Sequence, residues 1–421
     1  MYFALGLFLV TYVLLLIFGK YRAYIAACSA LLFVIFRIIP LGQVPGAIDW
    51  NVLMMIAGTM GTVVLFIESK MPALLADIIM EHVPNIKWAV VALALFAGII
   101  SAFVDNVATV LMVAPVALAL SKKLKISPVS VIISIAVSSN LQGAATLVGD
   151  TTSILLGGHA NMNFMDFFVF QGKPGIFWVV QVGAIASAAV LLFYFRKYKQ
   201  PVNSSKRTEV TDYVPTILLS GTVVLLIIVS FIPNKPAVSN GIICVSLAVI
   251  GFARKAFKEH SMTPFVQFFK EMDGETLLLL ASLFVIIGGI TEAGVIDAIS
   301  QLFVKIAGDN LFVIYTLILW ASVFFSAFID NIPYVATMLP VVGGIASLMG
   351  VEPYILYFGL LIGATLGGNF TPIGASANIT GIGILRKEGY TVSNQDFMKI
   401  GVPFSLVAVC SGYLLIWLIW S

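Results

Sequence analysis

The stretch "SAFVDNVATVLMVAPVALALSKKLK", residues 101–125, decides how this chain folds. An Asp-Asn pair, Asp105-Asn106, sits inside its apolar part, and Lys122, Lys123 and Lys125 close it. Lys87 stands just before the apolar run that leads into it. Loops rich in Lys and Arg stay on the cytoplasmic side of a membrane. Residues 88–120 therefore start and finish on one side and cannot be a single span. They read as a re-entrant helical hairpin with Asp105-Asn106 at its tip. Each arm has about 15 residues, or ~22 Å of helix, against ~30 Å of hydrocarbon.

The motif returns as "SAFIDNIPYVATMLPVV", residues 326–342. Residues 311–349 read as a second hairpin, tipped by Asp330-Asn331, that enters and leaves from the outside. Pro115 and Pro340 stand at equivalent places and should kink the returning arms.

The rest of the chain agrees. It has 421 residues, 60% hydrophobic and 10% charged, with a mean hydropathy of +1.06; a soluble domain is about 25% charged. This is an all-α polytopic membrane protein. Its net charge of +3 gives no ground for nucleic-acid binding. Residues 2–18 lack the basic start and small-residue cleavage site of a signal peptide and read as a first span. Further spans are expected near 24–39, 48–66, 175–195, 214–232, 238–252, 275–291 and 401–420. Residues 127–158 and 353–385 read as broken spans. "MPALLADIIMEHV" from Met71 and "GVIDAISQLFVKIAG" from Gly294 read as amphipathic surface helices. Cys28, Cys244 and Cys410 lie in separate apolar runs and read as packing residues.

Of the 23 Lys and Arg residues, 19 fall on one side in this arrangement. Only Arg37, Lys173, Lys235 and Lys305 fall on the other. The basic side should be cytoplasmic, with both termini outside. The chain divides into a first half, 1–196, a polar cytoplasmic linker, 197–213, and a second half, 214–421. An offset of 225 relates Asp105 to Asp330, Gly143 to Gly368, Thr146 to Thr371, Gly149 to Gly374 and Ser153 to Asn378. Each half is expected to cross five times, so the second is an inverted copy. Inverted repeats with broken helices mark secondary transporters.

Four polar breaks carry the chemistry: "FVDN" (103–106), "SSNLQGAATLVGDTTS" (138–153), "FIDN" (328–331) and "GATLGGNFTPIGASAN" (363–378). Broken helix frees backbone groups that lipid cannot satisfy, so such segments persist only when buried or lining a wet cavity. Gly143, Gly149, Gly367, Gly368 and Gly374 permit the unwound path. Half-helix N-termini near Val107, Asp150, Ile332 and Ala375 would aim partial positive charge at the centre. The candidate ion- or substrate-binding residues are Asp105, Asn106, Ser139, Asn140, Thr146, Asp150, Thr151, Asp330, Asn331, Asn369, Thr371, Ser376 and Asn378. No Lys, Arg or His lies in any break, so the three aspartates are expected to be protonated or cation-bound, with Na⁺ at the tips and broken helices. Asp105 and Asp330 can also cap the returning arms. Asp150 has Ala375 as its twin. It is either the coupling residue that distinguishes the halves or a cap for "TTSILL". His159 reads as a surface residue, and Glu68 and Glu292 as caps or interfacial ion-pair partners.

At these motifs the chain resembles the ion transporter superfamily, in the branch of arsenite efflux pumps, NhaD-type Na⁺/H⁺ antiporters and the pigmentation P protein. "SAFVDNVATVLMVAPV", "GAATLVGD", "SAFIDNIPYVATMLPVV" and "GGNFTPIGASANITGIGILRKEGY" are similar to its four signature stretches. The resemblance covers essentially the whole chain. It implies a homodimer, with a scaffold domain at the interface and a transport domain of hairpins and broken helices that moves as an elevator. The related dicarboxylate carriers have Ser-Asn-Thr at the hairpin tips, where this chain has Asp-Asn; Thr151-Thr152 stand where the P-protein-like branch often has two prolines.

The expected activity is secondary transport coupled to H⁺ or Na⁺ across the plasma membrane, without cofactor and without enzymatic chemistry. Na⁺/H⁺ exchange and arsenite or oxyanion efflux lead, and Na⁺-coupled uptake of a carboxylate or other small anion is the alternative. A channel could also be built from two hairpins. An intramembrane aspartyl protease fits poorly, because "TLVGD" has Leu147 where the Gly-x-Gly-Asp pattern has its first Gly.

Overall fold

The computed structural model describes residues 1–124, 126–202, 207–308 and 310–421. Lys125 and Lys206 of the basic loops, and residues 203–206 of the linker, lie outside the described residues. Apart from a two-residue strand pair, Val169–Phe170 against Lys173–Pro174, the described chain is helix and connecting turns. Apolar runs in lipid must satisfy their backbone internally, which leaves helix as the form available to them.

Seven helices among the described residues are long and apolar enough to cross a membrane by length and composition. They are Trp50–Glu68, Asn106–Leu124, Ile176–Tyr194, Ser239–Glu259, Gly274–Glu292, Asn331–Met349 and Asn394–Trp420. Two of the seven, Asn106–Leu124 and Asn331–Met349, are the returning arms of the expected hairpins. They run to 19 residues each; the first is longer than the 15 expected of its arm, and the second ends at Met349, where the run 311–349 was expected to end. The outgoing arms, Ile86–Ser101 and Leu311–Ser326, have 16. The first returning arm is longer because it continues through Lys122 and Lys123, where Lys122 reaches Glu388 at 2.6 Å. Pro115 and Pro340 lie inside the returning arms.

Both hairpins come back to the face they left. Ile86 and Lys87 donate their N–H groups to the carbonyls of Gln200 and Tyr198. Ser130, just past the far end of the first hairpin, pairs with the Tyr194 hydroxyl at 3.3 Å. Both ends thus lie by the C-terminal end of Ile176–Tyr194. In the second hairpin, Phe312 meets Trp417 edge to face at 4.7 Å, and Phe358, close beyond the returning arm, meets Trp420 at 5.1 Å. Both ends lie by the C-terminal end of Asn394–Trp420. These two helices run antiparallel: Ser187 donates to the Phe404 carbonyl at 2.7 Å, Gly183 faces Ala408, and Gly412 faces Val179. The two hairpins therefore rise from opposite ends of the molecule, tip towards tip.

The helices form two packed groups. In one, Trp50–Glu68 lies on Ser239–Glu259 and Gly274–Glu292 on Arg22–Ile35. Gly58 lets the first pair touch, since a Cβ there would lie 2.3 Å from the Cys244 carbonyl carbon. In the other, Ile86–Ser101 packs on Val129–Gly143 and Leu311–Ser326 on Tyr354–Gly367. Gly363 and Gly367 bring the second of these pairs against the carbonyls of Leu319 and Val323. Small residues let helices approach where lipid removes the hydrophobic drive between them. The expected surface helices are present as Met71–His82 and Val295–Ala307, each entered through a left-handed residue, Lys70 or Gly294.

Candidate functional site

Both spans expected to be broken are interrupted. Val129–Gly143 stops, and Thr151–His159 resumes after seven residues. Tyr354–Gly367 passes through a short 3₁₀ turn, and Ser376–Lys387 follows. The same bonds, 225 residues apart, tie each break to its hairpin tip and close each break on itself. Thr146 donates to the Ala102 carbonyl, and Thr371 to that of Ala327 at 2.5 Å. Ser153 donates to the Gly143 carbonyl at 3.0 Å, and Asn378 to that of Gly368 at 3.1 Å. Gly149 and Gly374 press against the tips, so that a Cβ on either would lie 2.6–2.9 Å from three carbonyl oxygens.

Asparagines hold the breaks together. Asn106 Nδ2 donates to Asn140 Oδ1 at 3.0 Å, and Ser139 Oγ donates to the Asn106 carbonyl at 3.0 Å. Asn140 Nδ2 donates to the Thr365 carbonyl at 2.7 Å and to Asn369 Oδ1 at 3.0 Å. Asn369 Nδ2 returns a bond to the Val137 carbonyl at 3.0 Å. These groups are almost fully buried; Ser139, Asn140 and Asn369 donate to backbone carbonyls, and Asn106 pairs with the Asn140 side chain. Asn378 Oδ1 is buried with no hydrogen-bond donor among the described residues.

The aspartates act as caps, and their surroundings differ. Asp105 Oδ1 accepts the N–H groups of Val107 and Ala108 at 3.0 and 3.2 Å. No ion pair recorded for the described residues reaches it. Asp150 accepts the Thr151 N–H at 2.8 Å and the Thr152 hydroxyl at 2.9 Å. Asn331 Nδ2, from the second hairpin tip, approaches the same oxygen as the Thr152 hydroxyl, Oδ2, at 3.4 Å. Ala375 takes the same extended backbone as Asp150 but offers no cap. Asp330 accepts the Ile332 N–H at 3.0 Å, and the Ser376 hydroxyl lies 3.5 Å from its carboxylate. It is also ion-paired with Arg22.

That ion pair corrects the expectation that none of the aspartates has a counter-ion. Arg22 had read as one of the basic loop charges. It opens the helix Arg22–Ile35 and crosses 308 residues of sequence to reach the second tip. Local sequence around the break could not reveal it. Thr152 and Thr365, whose hydroxyls meet at 3.2 Å, were also missed. Thr365 stands 225 residues after Asn140, so extending the repeat by a few positions would have found it. Glu68 pairs with Lys255 at 2.6 Å, as expected for an interfacial partner. His159 is an exposed residue whose ring meets the Tyr357 hydroxyl at 3.2 Å.

Two cavities lie at opposite ends of the helix pair Trp50–Glu68 and Gly274–Glu292. One, of about 640 Å³, is lined by Asp105, Asn106, Asp150, Thr151, Asn331 and Ser376, with Lys20, Arg22, Asp273 and Glu275 towards its mouth. The other, of about 890 Å³, is lined by Asp49, Asn51, Leu155, His159 and Glu292. The helix Thr151–His159 runs between them, with Thr151 on the first and His159 on the second. Six of the candidate residues thus share one chamber. Ser139, Asn140, Thr146, Asn369, Thr371 and Asn378 line neither cavity and brace the breaks behind it, and Asp330, turned to Arg22, is not among the lining residues either.

This arrangement has relatives. The Alcanivorax borkumensis YdaH transporter shares the fold, with a TM-score of 0.60 at 13% identity over 89% of this chain and 86% of its own. Neisseria gonorrhoeae MtrF, described within a class of antimetabolite efflux pumps, gives a TM-score of 0.58 at 13% identity, over 89% and 82%. In sequence, an uncharacterized transporter of Mycobacterium tuberculosis is 30% identical over 380 residues, 88% of this chain and 86% of that one. The human P protein is 26% identical over 450 residues, 88% of this chain and 54% of its own length. The citrate transporter family (CitMHS) matches residues 12–363, through both hairpins and into the second broken helix, and this multi-pass membrane protein belongs to that family of transporters.

Proposed function

We propose that the chain is a secondary active transporter coupled to H⁺ or Na⁺, working as an elevator. One observation carries this reading. Asp105 and Asp150 face a chamber open towards one end of the molecule, while a second cavity stops short of them at the other end. Both cavities follow the boundary between the helix pair Trp50–Glu68 and Gly274–Glu292 and the hairpin–broken-helix body. Sliding that body along the pair would close one route and open the other. A channel would need both open together.

The chamber favours a cation. Four acidic side chains line it, Asp105, Asp150, Asp273 and Glu275, against Lys20 and Arg22, and Arg22 is engaged by Asp330. A carboxylate withdrawn from water needs a partner or a proton. Exchange of Na⁺ for H⁺ at Asp105 and Asp150 meets that need, and efflux of arsenite or an oxyanion driven by H⁺ uses the same groups. Lys20 and Arg22 at the mouth, together with the family's name, favour a second reading, Na⁺-coupled transport of a small carboxylate.

In the same proposal the two halves are inverted repeats of five crossings joined by the linker 197–213. The protein is a plasma-membrane homodimer with its basic loops cytoplasmic and both termini outside. The loop contacts support two separate faces. Glu81–Arg207, Asp212–Arg254, Glu68–Lys255 and Lys122–Glu388 pair only among the loops read as cytoplasmic. Lys173 over Trp420 and Phe170 against Tyr354 lie among the others.

The test is flux in liposomes loaded with a pH-sensitive dye. Na⁺ or Li⁺ added outside should move protons in the wild type and fail to do so in Asp105→Asn and Asp150→Asn. Correctly folded protein that ignores Na⁺ and Li⁺ but takes up a labelled carboxylate would replace exchange with the second reading.

A further inference from the structure

The two Asp-Asn tips are equivalent in sequence and in capping, yet their charge is compensated differently. Asp105 bonds the backbone N–H groups of its own helix. Asp330 does the same through Ile332 but also holds the guanidinium of Arg22. Both partners of that pair are partly buried, with side chains 27% and 16% exposed. Arg22 belongs to the other body: its helix, Arg22–Ile35, packs on Gly274–Glu292, where Gly289 meets Phe33. The neighbouring helix Tyr2–Ile17 reinforces the contact, as the Tyr12 hydroxyl donates to the Pro333 carbonyl at 2.7 Å, one turn beyond Asp330.

We propose that Arg22 is a tethered cation that fills, at Asp330, the place a mobile monovalent cation takes at Asp105. The protein then binds one mobile cation fewer than its two Asp-Asn motifs suggest, and Asp330, held by Arg22, is not among the residues that line the chamber. A guanidinium is always charged and forks onto a carboxylate, so it competes at full strength with Na⁺ or H⁺ for Asp330. Because the pair spans the two bodies, it also marks this conformation: movement of the hairpin away from Arg22 would leave Asp330 to recruit a mobile ion. The inference rests on the cation-coupled reading above.

The experiment measures Na⁺ binding rather than transport, by following thermal unfolding of purified protein as choline is replaced with Na⁺. Arg22→Gln should gain apparent Na⁺ affinity by about tenfold, inside the ~5–150-fold range typical of coupled binding. Arg22→Gln combined with Asp330→Asn should lose that gain, and Arg22→Lys should resemble the wild type. An Arg22→Gln titration identical to the wild type, or a gain that survives Asp330→Asn, overturns the proposal. If Arg22→Gln does not fold, Asp330→Asn alone decides. It should leave Na⁺ binding unchanged while Asp105→Asn abolishes it, and equal losses in the two variants overturn the proposal. A flat wild-type titration counts against cation coupling itself; a gain appearing only in Arg22→Gln would then still uphold the role of Arg22, and no gain would overturn it.

Discussion

Replacing Gly149 by Ala should be among the most damaging one-methyl changes in the protein. A Cβ at residue 149 would sit 2.7 Å from the Gly143 carbonyl oxygen, 2.8 Å from that of Ser101 and 2.9 Å from that of Ala102. All three are backbone atoms, and they belong to two separate elements, the end of Val129–Gly143 and the tip of the first hairpin. No rotamer change relieves the contact, so the break and the tip must part by several tenths of an ångström. Parting them strains the Thr146 bond to the Ala102 carbonyl. Overpacking a close-packed site costs about 1–3 kcal/mol, and three fixed oxygens place this case at the upper end. Gly383→Ala is the control. Gly383 lies inside the helix Ser376–Lys387 with nothing within 4 Å of its would-be Cβ, and Ala there should stabilise by roughly 0.5–1 kcal/mol. The two variants should therefore differ by about 2–4 kcal/mol, a gap of several degrees in thermal unfolding of detergent-solubilised protein. Gly374→Ala, with the same three contacts in the second half, should behave like Gly149→Ala. Equal stability of Gly149→Ala and Gly383→Ala would refute the packing of break against tip.

Other consequences can be checked alongside. Asn140→Leu strands Asn106 Nδ2 and removes the side-chain donor to the Thr365 carbonyl in a dry interior, leaving Asn369 Oδ1 only the 3.4 Å contact of Asn378; at about 1–3 kcal/mol for each unpaired buried group, it should destabilise more than Ser139→Ala in the same unfolding assay. Arg207 hydrogen-bonds Glu81 and holds its carboxyl below the usual carboxylate range, and Arg254 does the same to Asp212. A lowered folded-state value means the contact is complete above the unfolded value of about 4.3 for Glu and is lost as pH falls below it. Proteolysis of segment 207–213 should thus be slow from neutral pH down to about pH 5 and accelerate below pH 4. Glu81→Gln should flatten that dependence, and an unchanged profile would refute the hold of Glu81 on the segment through Arg207. Thr152→Val removes a donor from Asp150 and should alter cation dependence of flux more than Thr371→Val, whose hydroxyl braces a break.

Much of the site was legible in the chain because a repeat writes it twice. Asp105 and Asp330, Thr146 and Thr371, Gly149 and Gly374 share an offset, and each pair turns out to make the same local bond. Local chemistry of this kind, a cap or a glycine under a carbonyl, depends on neighbours a few residues away or on a repeat partner. The length of the first returning arm was misread because hydropathy ends at the lysines, whereas the helix continues until a charged partner receives it.

The amino-acid sequence alone determined that the chain lies in a membrane, where its helices run, where two of them break and which oxygen-bearing residues the breaks expose. Those features follow from transfer of apolar side chains out of water and from backbone groups that lipid cannot satisfy. Tertiary structure alone decided which of those residues face the chamber and which brace it, and that Arg22 neutralises Asp330 while Asp105 has no ion pair among the described residues. Charge compensation acts through space, across a few ångströms, and pays no regard to the 308 residues between its partners.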